Sequence, residues 1–315
     1  MSKYKEFDNT GLNKFYVSDR QSKVTTSSFV SVKDISVNPF IDCLPDILKG
    51  KDFKALLDKT YQAYLHKKPI IIGIGGHIIK TGLSPLLIDL LRLNAISGIC
   101  ANGSVCIHDF EIACFGKTSE DVAEALRDGS FGMATDTCDT INNVIEQAAA
   151  QKLGYGEAIG KYLAETDIAF PELSLLRNGY QNDVPITVHI AIGTDINHQH
   201  ETASGHAIGE CSMRDFRIFT QLVSDLDRGG VFLCFGSAVI IPEVFLKALT
   251  ICRNKKIPVN DFTTAVFDMN TQYRPIVNIA TRPVQTSGNG YYFVGHHEIM
   301  IPLFLFALRE RILNK

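Results

Sequence analysis

Apolar positions along this chain follow two patterns, a helical stripe and a short unbroken run, separated by glycine- and proline-bearing turns. Residues 52–66 carry Phe53, Leu56, Leu57, Thr60, Tyr61 and Tyr64 at helical spacing, and Pro69 closes the segment. Ile70-Ile71-Ile72 then reads as a strand buried on both faces. A glycine turn follows, Gly73-Ile74-Gly75-Gly76-His77. Leu86, Leu87, Leu90 and Leu91 predict a helix over 84–93, and a strand over 97–101 ends at Asn102-Gly103. This is a βαβ-like unit. Thr118 is the predicted cap of a helix that ends before Gly129, with Glu120 and Asp121 in its first turn. Further helices are predicted over 138–151, 155–165, 215–226, 242–252 and 298–313. Further strands are predicted over 185–190, 231–235, 261–267 and 291–294. Residues 1–45 are rich in Ser, Thr, Asn and Asp and read as an N-terminal arm, leaving 46–315 as one α/β domain. The alternation predicts a mostly parallel sheet with helices on both faces. Ligands of such sheets bind at the carboxyl ends of the strands.

Composition narrows the classes. The 315 residues are 45% hydrophobic and 21% charged, which excludes a disordered or collagen-like chain. The formal net charge of −3 argues against a basic nucleic-acid binder. The first residues lack an apolar core of the signal-peptide kind, and the uncharged run 299–308 is too short for a bilayer, which needs about 20 residues. Eight cysteines without a CxxC pair are expected to be reduced, with a cytoplasmic location.

Four strand-end segments carry candidate chemistry. In GIGGHIIKTG, Gly75 and Gly76 allow backbone amides close to a phosphate, yet the GxGxxG pattern fails because Ile78 holds the third glycine position. The bland reading is a tight turn, with Lys80 solvated. In NGSVCIHDFEIA, His108 and Glu111 share a face if the segment is helical, whereas Asp109 does not. In HIAIGTDINHQHE, Asp195 can hold a ribose diol, and His198 with His200 can bind a divalent metal or serve as polar lining. In VGHHEIM, His297 and Glu298 begin a helix, where a neutral imidazole can act as a base near neutral pH or simply cap the helix.

In order, these segments resemble the deoxyhypusine synthase family between about residues 65 and 285. The resemblance rests on GGHIIKTG, ICANGSVCIHD, VPITVHIAIGTD, FGSAVIIPEVFLKA and TTAVFDMN, the last followed by Arg274-Pro275. It implies a Rossmann-like NAD-binding fold, a transferase ancestry and a homotetramer or dimer with sites at an interface. By position it implies that Thr81, Gly103, Asp195, Thr264, Ala265 and Asp268 line the cofactor site, beside the strand-end residues Gly75, Gly76, Gly236 and Ser237. The resemblance breaks where chemistry matters. Thr281, Arg282 and Pro283 stand where the family has Trp-Gly-Lys, Val277 replaces an acid, and Pro242 replaces a histidine. Without that lysine the lysine–imine route is closed, so the chain is not expected to be a deoxyhypusine synthase.

Seven of the nine histidines fall at or beside strand ends and loops. The leading expectation is an NAD-dependent enzyme on a small polar substrate, with His77, His108, His198, His297 and Glu298 as catalytic candidates. The alternatives are a metal-dependent hydrolase or isomerase using His198 and His200, and a non-catalytic ligand-binding relative. Neither a nucleic acid nor a membrane is an expected partner.

Overall fold

The isoleucine run after Pro69 becomes the central strand of a six-stranded parallel sheet. The computed structural model describes residues 10–314; residues 1–9 of the expected arm, and Lys315, lie outside the described residues. The strands are β1 (Ile70–Ile74), β2 (Gly98–Asn102), β3 (Ile186–His189), β4 (Val231–Phe235), β5 (Thr263–Asp268) and β6 (Asn289–Val294). Their spatial order is β3-β2-β1-β4-β5-β6, every pair parallel. This is the order of doubly wound dinucleotide folds, and it reverses between β1 and β4.

The pleat explains the unbroken apolar run. Ile70, Ile72 and Ile74 join one core cluster with Phe53 and Leu56 of α1 (Leu48–Leu65) and Phe304. Ile71 faces the opposite cluster with Phe219, Phe232 and Phe245. Each such fully buried side chain contributes about 1.5–3 kcal/mol. The nine longer helices are α1, α2 (Ser84–Arg92), α3 (Gly103–Phe115), α4 (Thr135–Gln151), α5 (Tyr155–Glu165), α6 (Leu175–Gln181), α7 (Gly205–Ser224), α8 (Ile240–Asn254) and α9 (His297–Leu313). None among the described residues is long and apolar enough to cross a membrane.

Three local expectations need correction. Asp121, not Thr118, caps a short helix by accepting from the Ala123 and Glu124 amides. Thr118 instead pairs with Val24 in a two-residue antiparallel ribbon. Helix α7 begins at Gly205 rather than near 215, because the Ser204 hydroxyl caps it through the Ala207 amide. Helix α6 was not expected at all; the buried Asp109 carboxylate organises its start by accepting from Ser174 Oγ (2.7 Å), Leu175 N (2.6 Å) and Leu176 N (3.1 Å).

The outer edge of β3 is closed by a side chain. Asp215 of α7 accepts from Val188 N at 2.7 Å and from Gly156 N at 2.9 Å. An open edge would be a pairing hazard. Asp215→Ala leaves two buried amides without acceptors and is expected to cost about 2–4 kcal/mol, read as a lowered urea midpoint at unchanged m-value.

Candidate functional site

Where the strand order reverses, the turns after β1 and β4 touch. A Cβ on Gly75 would fall 2.1 Å from the Gly236 carbonyl oxygen, so only glycine fits. The amides of both residues are spent in the ladder, Gly75 N–H on Phe235 O (3.1 Å) and Gly236 N–H on Phe267 O (3.0 Å). The expected phosphate-cradling role of the Gly75 amide, and the expected place of Gly236 in a cofactor site, are therefore corrected to a steric role. Ser237 next to them caps α8 by accepting from Ile241 N at 3.3 Å.

His297, the first residue of α9, packs on this junction. A Cβ on Gly236, whose φ is +62°, would meet His297 Cε1 at 2.7 Å. The rings of His77 and His297 lie edge to face with centroids 5.2 Å apart. Both His297 nitrogens are sealed from solvent without a hydrogen-bond partner among the described residues. Burial lowers the pKa of both histidines; Lys80 adds to this at His77, while Asp268 acts in the opposite direction on both. Asp268 ends β5 and is buried, with Oδ1 accepting from Asn270 N at 3.3 Å. Glu298 faces outward and lies 3.7 Å from the exposed His296.

A cavity of about 210 Å³ adjoins this crevice, lined by Lys80, Ser104, His108 and Asp195 among others. Gly76 joins the two spaces, since a Cβ there would meet Ser104 Oγ at 2.4 Å and His108 Cδ2 at 3.1 Å. Helix α3 forms because Asn102 caps it, accepting from Val105 N, and Gly116 ends it in the left-handed region. His108 and Glu111 share a face, as the spacing predicts, and meet through Thr118. Thr118 Oγ1 donates to Glu111 Oε2 (2.5 Å) and lies 2.8 Å from His108 Nδ1. With its proton on Glu111, Thr118 can only accept from His108, which fixes the Nδ1–H tautomer and leaves Nε2 as a lone pair. Arg20 holds Glu111 at 2.7 Å and Glu120 at 3.6 Å. Burial, with Lys80, Arg20 and His77, pushes His108 down to about 3.

Asp195 follows β3 and places its carboxylate over the start of α3. A Cβ on Gly103 would fall 2.0 Å from Asp195 Oδ2. Oδ2 is sealed without a partner, and burial pushes the group up to about 6. His198 Nδ1 accepts from Gly193 N (3.1 Å) and Asp195 N (3.3 Å), so its sealed Nε2 carries the proton and donates to nothing among the described residues.

Other expected site residues lie elsewhere. His200 is buried against Asp139 (Nδ1, 3.1 Å) and the Gly132 carbonyl (Nε2, 2.9 Å). Both its nitrogens are engaged, so the His198/His200 metal pair is corrected. No group of three His, Cys, Asp or Glu able to hold a metal occurs among the described residues. Thr264 and Ala265 are fully buried in the middle of β5, where Thr264 donates to Ile279 O, and they line no site. Thr81 donates to His77 O and closes its turn. His189 turns inward onto Phe219 and Thr187. Sequence reasoning missed Arg20, 91 positions from Glu111, and the role of Thr118, which lies just past the end of α3 and reads as a helix cap.

No family model and no curated protein matches this sequence. Among solved structures, the chain is similar to AgrE in a ternary complex with ornithine and NAD+, with a TM-score of 0.52, 12% identity, and coverage of 90% of this chain and 34% of that one. It is equally similar to a protein assigned as a deoxyhypusine synthase from Entamoeba histolytica, at TM-score 0.52 and 10% identity over 87% of this chain and 93% of that one. ArgZ, an arginine dihydrolase from cyanobacteria, matches at TM-score 0.48 and 14% identity over 85% of this chain and 33% of that one. The chain thus spans about a third of the length of ArgZ and AgrE. The fold is the Rossmann-like fold of deoxyhypusine synthase.

Histidine NMR checks the electrostatics. His108 is expected as the neutral Nδ1–H tautomer down to about pH 3. An unfolded histidine protonates near 6.5, so His108 contributes stability above that pH that is lost as pH falls toward 3. His108→Phe is expected to flatten this acid limb of the stability profile.

Proposed function

We propose that this chain is an NAD-binding enzyme that acts on a small polar substrate without a covalent lysine intermediate. The observation that carries the reading is the cavity beside the strand-reversal junction, whose histidine has one nitrogen fixed and the other left as a lone pair. The likeness to AgrE supports the cofactor, because that protein was solved in a ternary complex with ornithine and NAD+. Bound NAD supplies hydride acceptance or return at its nicotinamide.

The residues present fit such a group at the crevice. His297 has two sealed, unpartnered nitrogens, and the Asp268 carboxylate faces the same two imidazoles. Asp268 would hold a cofactor hydroxyl or amide, and His77 and His297 would line its binding surface. In the cavity, His108 Nε2 would accept a proton from the substrate, with Thr118 and Glu111 holding the ring in place. A base works best with a pKa near the operating pH. Burial, and after it Lys80, Arg20 and His77, keep the His108 imidazole neutral, so its Nε2 is available as an acceptor. Thr281 and Arg282, which stand in place of the family's lysine element, are exposed and supply no amine nucleophile.

Calorimetry with NAD tests the reading. Heat and a thermal shift are expected for the full chain, and neither at millimolar NAD would favour the non-catalytic relative instead. His297→Phe separates function from folding. Removing two unpartnered buried nitrogens is expected to leave stability unchanged or raise it by about 1 kcal/mol, while NAD affinity falls at least tenfold. Unchanged affinity would return His297 to a packing role.

A further inference from the structure

Charge pairing inside the His108 cavity is incomplete in a specific way. Arg20 is consumed by Glu111 and Glu120, and Glu120 also accepts from Gly132 N at 3.0 Å. One guanidinium does not balance two carboxylates, so the cavity wall keeps an acidic excess besides Lys80 and Asp195. Lys80 makes no ion pair among the described residues, yet its ammonium is near enough to bear on both His77 and His108. Asp195 forms no ion pair among the described residues; its side chain accepts from the His198 amide in a capping box, and its Oδ2 is packed over Gly103 and sealed without a partner. Lys80 and Asp195 line one chamber of about 210 Å³ but do not pair with each other.

We infer that the cavity recognises a small zwitterion of the amino-acid type, its carboxylate on Lys80 and its ammonium on Asp195. The assignment rests on the reading of this cavity as the substrate site and names the class of substrate. A singly charged ligand leaves either the lysine or the aspartate uncompensated, in surroundings where unpaired charge is costly. A ligand with both charges on neighbouring carbons compensates the two walls at once and brings its amine within the reach of the His108 lone pair. The volume of about 210 Å³ holds a molecule of that size. The neutral, oriented His108 distinguishes this chamber from a simple ion-pair pocket, because it adds an acceptor that carries no charge of its own.

The test uses the full chain without NAD and a panel of L-α-amino acids from glycine to leucine. Each is compared with its deaminated acid and its decarboxylated amine, by calorimetry and thermal shift. At least one amino acid is expected to bind ten times or more tightly than both of its analogues. Lys80→Met is expected to erase the advantage over the amine, and Asp195→Asn the advantage over the acid, with circular dichroism confirming that each variant folds. In the unaltered chain, saturation is expected to shift the His108 ring resonances, a reading that needs no variant. Analogues that bind as tightly as their parents, or a panel that shifts nothing, overturn the assignment. NAD heat without amino-acid binding removes this assignment alone; amino-acid binding without NAD heat removes the cofactor reading alone.

Discussion

The close approach of two backbone turns, at Gly75 and Gly236, is the constraint on which the rest of the rim depends. No side chain fits between them. That contact sets β1 and β4 at the separation their ladder requires and leaves the first turn of α9 seated directly on Gly236. His297 therefore occupies the junction because the backbone beneath it has no Cβ. His77 meets it because the same glycine turn leads straight into the helical turn that carries it. From there the geometry passes through Gly76 to Ser104 and His108, so three glycines and three imidazoles form one continuous piece of rim.

Much of the fold is legible because its interior is two-sided. A strand covered on both faces has no room for polar alternation, and the runs at Ile70–Ile74 and Val231–Phe235 show this directly. Helices with an apolar stripe, such as α1 and α2, are equally plain. What escapes is structure whose cause lies far away in the chain. Helix α6 owes its start to Asp109 some 65 positions earlier, a contact no local pattern contains. The first half of α7 is small and polar, so its stripe is visible only where Phe216 and Phe219 begin. Thr118 looks like a cap because it precedes two acids, but its hydroxyl is already committed to Glu111.

The site was readable to the same depth. Helical spacing alone brings His108 and Glu111 to one face, and the structure joins them through a hydroxyl that spacing cannot supply. Of the histidines gathered at strand ends, His77 and His297 meet at the junction, His108 lines the cavity and His198 lies beside Asp195. The gathering misleads at His200, where both nitrogens are satisfied by Asp139 and a carbonyl. Positions carried over by resemblance divide in the same manner. Asp195 and Asp268 reach the rim, while Thr264 and Ala265 sit two or more residues short of it along β5, inside the core. A match in sequence order gives the strand and not the depth at which a side chain leaves it.

Arg20 has a consequence for how the protein assembles. It reaches Glu111 across 91 positions of chain, and its neighbours are fastened in turn, Lys14 to Asp139 and the Val17 amide to Asp136. Until that leading segment docks, two acids at the cavity wall repel each other in a dry setting. Loop closure of this length carries its entropic penalty before any electrostatic reward arrives. One guanidinium from the leading segment thus supplies the cation that the two acids of the cavity wall share.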